Sequence, residues 1–123
     1  MYLNLSSVAD FPVGTAIGHR NLSDDSLNSI VLREFNSITP SNALKMHKVI
    51  GSDLSYQWEK ADAIVNFAAE NNLRIHGHTL VWNNSIPDWM NAENFNDSLL
   101  KAIYHEHIKK MVGRYRDQIH AWD

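Results

Sequence analysis

The 123-residue sequence contains no cysteine, which excludes disulfide bonds and metal sites built from thiolates. It has only five glycines, and no glycine-rich phosphate loop follows any predicted strand. No apolar run approaches the length that spans a bilayer, and the opening segment MYLNLSSVADF lacks the basic and apolar regions of a signal peptide. These absences argue against a phosphate-loop nucleotide-binding protein and against a membrane partner.

The charged residues also show no large excess of one sign. Eleven Lys and Arg residues are spread along the chain against fourteen Asp and Glu residues, which gives a net charge of −3 with His neutral. A nucleic-acid partner would call for a basic patch that this pattern does not offer. We therefore expect no nucleic-acid partner. We also expect no cofactor.

Hydrophobic patterning predicts strands and helices in alternation. The predicted elements are strand 11–18, helix 22–35, strand 35–39, helix 56–72, strand 73–82, helix 95–118 and a strand beginning at 119. Such alternation favours a parallel α/β sheet with right-handed crossovers, either doubly wound or closed into a barrel. A full (β/α)8 barrel needs about 250 residues, so these three and a half units would form roughly half of one. We expect residues 1–123 to be a partial barrel truncated at the start of its fourth strand.

The stretch LRIHGHTLVW, residues 73–82, places two histidines in an apolar run. If the whole stretch is one strand, His76, His78, Leu80 and Trp82 share one face. Histidines in such a run are either hydrogen-bonded core residues, ligand-binding groups or metal ligands. His107, in the last predicted helix, lies among polar residues and is expected to face solvent.

In parallel α/β folds, functional side chains gather at the carboxyl ends of the strands. The segments that follow the predicted strands are rich in amide side chains and include Lys45. They also carry two tryptophans, Trp82 and Trp89, as flat apolar surfaces. Fixed hydrogen-bonding groups beside flat apolar surfaces are what a sugar ring needs. No pair of acids in this chain is a good candidate for two facing catalytic carboxylates.

Five separated motifs, FNSITPSNALK, ADAIVNFA, HGHTLVW, PDWM and HIKKMVGRYRDQIHAWD, occur in this order. From about Phe11 onward the chain resembles the N-terminal half of a glycoside hydrolase family 10 catalytic domain, the xylanase family. The resemblance implies a (β/α)8 TIM barrel that cleaves β-1,4-xylan with retention, using two glutamates. Trp122 and Asp123 match the start of the Trp-Asp-Val-Val-Asn-Glu motif that carries the acid/base glutamate. Both glutamates are therefore expected beyond Asp123, so this chain alone would hold no catalytic residue and be inactive.

The same resemblance implies a set of substrate-binding residues. Asn42 and Lys45 match residues that hydrogen-bond xylose units, His78 matches a histidine at the cleavage point, and Trp82 matches the tryptophan beneath that sugar. The implied partners are xylan or a related β-1,4-linked polysaccharide and the missing C-terminal half of the barrel. The implied location is extracellular or periplasmic.

The sequence departs from the family pattern at two places. Ser41 stands where the family usually has glutamate, and Asn83, Asn84 and Ser85 stand where it usually has His-Ser-Gln. Charge-assisted hydrogen bonds are stronger than neutral ones, so weaker or altered sugar binding is expected. Two alternatives stay open: a non-catalytic carbohydrate-binding or scaffold half-barrel, and a metal-dependent hydrolase that uses His76 and His78.

Overall fold

The computed structural model describes residues 2–123, which form one parallel sheet with helices packed against it. The strands are β1 (Gly14–Ile17), β2 (Ser37–Pro40), β3 (Arg74–Gly77) and β4 (Ala121–Trp122). The helices are α1 (Leu5–Val8), α2 (Asp25–Glu34), α3 (Met46–Val49), α4 (Glu59–Glu70) and α5 (Asp97–Arg114), with 3₁₀ turns at His19–Ser23 and Asn83–Ser85. None of the helices in the described residues is both long and apolar enough to cross a membrane.

The strands lie in the order β1-β2-β3-β4, and every neighbouring pair is parallel. The register pairs Ala16 with Thr39, Ile38 with Ile75, and Gly77 with Trp122. A doubly wound sheet reverses its strand order at a switch point, whereas here each strand lies beside the previous one. The sequential order therefore supports the barrel over the doubly wound alternative.

One face of the sheet forms the core with the helices. Ile38 and Ile75 point to this face and pack with Ile64 of α4 and Met111 of α5, all of them buried. The opposite face is more open, since His76 keeps 39% of its side chain exposed. Within the described residues this second face of β3 is therefore only partly covered.

The strand predicted over 73–82 is shorter than expected. It ends at Gly77, and the chain then turns because the Thr79 hydroxyl and the Leu80 amide both donate to the backbone carbonyl of Asp123, each at 2.9 Å. Leu80 and Trp82 thus lie in a loop beyond the strand. Their predicted place on a continuous strand face is wrong, although both follow the carboxyl end of β3.

The helix predicted to start at Tyr56 begins at Glu59. Neither Asp53 nor Ser55 caps it, because the Asp53 carboxylate accepts hydrogen bonds from the Ser55 amide at 3.0 Å and from its hydroxyl at 2.6 Å. This local turn competes with the cap. At the other end Asn72 adopts a positive φ of 53°, the left-handed conformation that commonly closes a helix.

Polar contacts join α4 to α5. Asp62 of α4 accepts hydrogen bonds from the Arg114 guanidinium, at 3.0 Å to Nε, and from the Tyr115 hydroxyl at 2.8 Å. The Arg114 guanidinium also lies over the Trp58 ring, 4.6 Å from its centroid. The hydrogen bonds from Arg114 lower the pKa of the Asp62 carboxyl, so this carboxylate stays charged and holds the two helices together.

His107 is fully buried, so its predicted exposure is wrong. It lies on the same face of α5 as Ile103 and Met111, four residues away on either side, and that face packs against the rest of the protein. The Tyr56 hydroxyl, 2.8 Å from Nδ1, satisfies one of its ring nitrogens. Ile108, the next residue along α5, is 39% exposed.

Because of His107, the free energy of unfolding should decrease as the pH is lowered. Burial lowers the pKa of His107 from 6.5 to about 4, so the unfolded chain takes up a proton at higher pH than the folded one. The stabilisation is complete above about pH 6.5 and is lost as the pH falls toward 4, by about 3 kcal/mol in all. Urea unfolding between pH 7 and pH 4 measures this slope, and His107→Gln should flatten it.

The matched control is His105→Gln, at an exposed position on the same helix. This variant should keep the slope of the unmodified protein. An equal slope in the protein with and without His107 would contradict the assignment.

Gly77 allows β3 and β4 to pair. A Cβ at this position would lie 2.2 to 2.7 Å from three atoms of the Trp122 ring, closer than real contacts allow. Gly77→Ala should therefore destabilise the protein by about 1–3 kcal/mol through overpacking. Thermal or urea unfolding measures the loss.

Gly113→Ala provides the opposite control. No atom lies within 4 Å of a Cβ built there, and the residue is inside α5. Alanine should stabilise that helix by about 0.5–1 kcal/mol. Equal effects of the two substitutions would mean that the Trp122 ring moves aside without cost.

Candidate functional site

The candidate site lies at the carboxyl ends of β2, β3 and β4. The turn after β2 carries Asn42 and Lys45, the loop after β3 carries His78 and Trp82, and Asp123 directly follows β4. Parallel strands bring these segments to one edge of the sheet. The structure thus brings together all four residues that the sequence singled out for sugar binding.

Lys45 connects two of the segments. Its ammonium donates to Asn42 Oδ1 at 2.8 Å and lies 5.3 Å from the centroid of the Trp82 ring. A cation over a tryptophan face is attracted by the ring quadrupole and fixes the ring orientation. Trp82 remains 40% exposed, so the contact leaves apolar ring surface available for a ligand.

Trp82 in turn contacts His78. Their ring centroids lie 6.0 Å apart, with the planes tilted by 52°. The four predicted residues therefore form a continuous series of contacts: Asn42, Lys45, Trp82, His78. This arrangement offers an ammonium, an amide and an imidazole around one exposed aromatic surface.

Asp123 holds both histidines of β3 and its loop. Its carboxylate lies 3.0 Å from His78 Nδ1 and 3.5 Å from His76 Nε2. When Nδ1 of a neutral His78 donates to this carboxylate, Nε2 is left as an acceptor for a hydroxyl group. The sequence did not predict this contact. It follows from the strand register, because His78 and Asp123 each follow a residue of the Gly77–Trp122 pair.

The geometry does not favour the metal-dependent alternative. Within residues 2–123, no group of three or more His, Cys, Asp or Glu side chains is arranged to hold a metal ion. His76 and His78 are instead both turned to one carboxylate. Their arrangement matches hydrogen bonding rather than coordination.

Trp89 has a different environment from Trp82. Its ring meets Phe95 edge-on at 5.9 Å and packs in a second apolar cluster with Met46, Met90 and Ile103. It is a core residue, and Trp82 alone of the two tryptophans contacts the predicted binding residues. The sequence pattern offered both as apolar surfaces and could not separate them.

An open cleft of about 900 Å³ adjoins the site at Asn42. It lies between the 3₁₀ turn after β1, the turn after β2 and the start of α4. Ser41, one of the departures from the family pattern, is part of its wall. The cleft extends the site along the sheet edge toward β1.

Comparison with known families decides the relationship. Residues 3–123 match the model described as Glycosyl hydrolase family 10. The chain belongs to glycosyl hydrolase family 10. The family resemblance inferred from the five sequence motifs is confirmed.

Individual relatives and solved structures agree with this assignment. A protein described as a beta-1,4-xylanase, from Dictyoglomus thermophilum, is 37% identical over 113 residues, which cover 92% of this chain and 31% of that protein. A solved psychrophilic family 10 endo-beta-1,4-xylanase superposes with a TM-score of 0.91 at 34% identity, over 99% of this chain and 39% of the other. A mutant structure in complex with xylotriose gives a TM-score of 0.90 at 31% identity, over 99% of this chain and 38% of the other.

The chain spans between 11% and 37% of the length of the curated relatives named in this comparison, and about a third of most of them. Its four parallel strands and their helices superpose on family 10 structures over nearly their whole extent. The expected fold, a partial α/β barrel, is thereby confirmed.

The Asp123 contact predicts the protonation pattern of His78. In the unmodified protein, nitrogen NMR of neutral His78 should show the proton on Nδ1, because Asp123 accepts from that atom. Asp123→Ala removes the acceptor and should give a mixture of both tautomers. Asp117→Ala, at an exposed residue of the preceding turn, should leave the His78 signals unchanged. A proton on Nε2 in the unmodified protein would contradict the assignment.

Proposed function

We propose that residues 1–123 form the N-terminal half of the barrel of an endo-1,4-β-xylanase, a retaining glycoside hydrolase. In this proposal the half-barrel binds the sugar units on the non-reducing side of the cleaved bond. The observation that carries it is the series of contacts from Asn42 to His78 around the exposed Trp82 face, in a family 10 chain. The names of the relatives, xylanases, and the xylotriose complex support xylan as the substrate.

The proposed site suits a xylose unit chemically. The Trp82 ring supplies an apolar surface for one face of the sugar, while hydroxyl groups at the sugar rim need hydrogen-bond partners. Lys45 has three donors, of which Asn42 takes one, so two stay available for hydroxyl oxygens. His78 Nε2 can accept a hydrogen bond from a sugar hydroxyl, because Asp123 occupies the other ring nitrogen. Donors and acceptors are thus both present around one apolar surface.

Retaining hydrolysis uses two carboxyl groups about 5–5.5 Å apart. Among the described residues, Asp123 is the carboxylate that contacts the predicted binding residues, and it holds two histidines. We therefore assign Asp123 a positioning role. We place both catalytic glutamates in sequence that follows Asp123 in the complete protein.

The proposed surroundings follow from the substrate. Xylan is a polysaccharide of plant cell walls, too large to enter a cell, so the proposal places the protein outside the cell or in the periplasm. It involves no cofactor, no nucleic acid and no membrane. The second half of the barrel, which would cover the remaining edges of the sheet, is the expected structural partner.

Release of reducing sugar from xylan tests the proposal, with protein expressed from the complete reading frame that contains this sequence. Lys45→Ala should raise KM about ten- to hundredfold, because it removes charge-assisted hydrogen bonds worth about 1.5–3 kcal/mol. Trp82→Ala should have a similar effect through lost apolar contact. Turnover at saturation should change less, since neither side chain supplies the reacting carboxylates.

Lys110→Ala is the matched control. Lys110 also lies over an aromatic ring, 4.8 Å from the centroid of Tyr56, but it lies on α5 and away from the site. This variant should keep the KM of the unmodified protein. Activity on no β-1,4-linked glycan would overturn the proposed hydrolase and leave a carbohydrate-binding half-barrel.

A further inference from the structure

The cleft beside Asn42 has a charge opposite to that of the chain. Three cationic residues line it, Arg20, Lys48 and Lys60, against the single carboxylate of Glu59. Three positive charges and one negative charge give this lining a net charge of +2 with histidines neutral, whereas the whole chain carries −3. A cleft lined by one sign of charge concentrates the field inside it.

The cations of the cleft have no anionic partner within the described residues. Elsewhere in residues 2–123, Arg33 pairs with Glu34 and Arg114 pairs with Asp62, but no ion pair within 4 Å involves Arg20, Lys48 or Lys60. An unpaired charge in a cleft keeps its full attraction for an incoming anion. The cleft is therefore suited to a negatively charged group.

The cleft continues the sugar site directly. Asn42 lines the cleft and also accepts the hydrogen bond from Lys45 beside Trp82. Ser41, next to it, adds a neutral hydroxyl to the wall. A chain of sugars that contacts Trp82 and Asn42 would thus bring its neighbouring units and their substituents to the cations.

We propose that this cleft binds the carboxylate of a uronic acid side group on the bound polysaccharide, so that the protein prefers acidic xylan to neutral xylan. The inference rests on the proposed function, since it assumes that a xylan chain occupies the site at Trp82. Arg20 provides a planar fork that matches a carboxylate, and Lys48 and Lys60 add charge. Amide and hydroxyl groups in the same lining, from Asn21 and Gln57 among others, provide partners for sugar hydroxyls.

The cleft volume agrees with a sugar ligand rather than a simple ion. About 900 Å³ is at the upper end of ligand pockets, which span roughly 300–1,000 Å³. A small inorganic anion would leave most of this space empty. The volume and the charge of the cleft together therefore favour a charged sugar.

Calorimetric binding measures the preference directly, with protein expressed from its complete reading frame in which the proposed acid/base glutamate is replaced by glutamine, so that the probes bind without being cleaved. The two probes are xylotetraose and xylotetraose that carries one glucuronic acid branch. We expect the branched probe to bind about fivefold more tightly at low salt, as a partly exposed charge pair would give. The advantage should vanish at 1 M salt, where the screening length is about 3 Å.

Variants locate the effect in the cleft. Lys48→Ala and Lys60→Ala should each reduce the preference for the branched probe and leave xylotetraose binding unchanged. Ser41→Glu should reduce it further, because it adds a negative charge to the same wall. Lys101→Ala removes one positive charge from an exposed position of α5 outside the cleft, and it should preserve the preference.

Each outcome separates the inference from the proposed function. Binding of both probes with equal affinity overturns the inference and leaves the proposed function standing. Free glucuronate that binds as tightly as the branched probe also overturns it, since the cleft would then be a site for small anions. Binding of neither probe overturns the proposed function, and the inference with it.

Discussion

The site depends on the close approach of β3 and β4. Because Gly77 has no side chain, the Trp122 ring lies directly against its backbone, and the strands can pair in a register that places Asp123 beside His78. The backbone of Asp123 then binds the chain after β3, through the Thr79 hydroxyl and the Leu80 amide. One short pairing thus ends a strand, turns a loop and positions a carboxylate.

The helices support the strand ends that form the candidate site, although they contribute none of its side chains. Asp62 of α4 binds Arg114 and Tyr115 at the end of α5, while His107 in the middle of α5 is held by Tyr56. These buried or half-buried polar contacts act at fixed angles, which apolar packing alone does not impose. The helices consequently have a defined position on the sheet, and the loops between them and the strands have defined ends.

The fold could be predicted because it depends on local patterns, whereas the four proposed binding residues were named through the family resemblance. Alternating strands and helices indicate the sheet, and the carboxyl-end rule selects the loops that carry Asn42 and His78. What the sequence did not indicate depends on distant contacts. His107 is buried beside Tyr56, a partner 51 residues away in the sequence. β3 ends early because the backbone of Leu80, which follows it, hydrogen-bonds to Asp123. Arg20 and Lys60 lie far apart in the sequence and come together only in the folded chain, so the sequence pattern does not indicate that they share a cleft.

The sequential strand order has a consequence for how the protein forms during synthesis. Each strand pairs with the one made just before it, so β1, β2 and β3 can associate in turn while the rest of the chain is still being made. Asn42 and Lys45 are then in position early, on a sheet edge that lacks its next strand. The histidines acquire their carboxylate only when Asp123 has left the ribosome and β4 has paired. The arrangement proposed to bind sugar is therefore among the last local features to form, and a nascent chain that stops before β4 would retain the tryptophan and lysine without the carboxylate contact to the histidines.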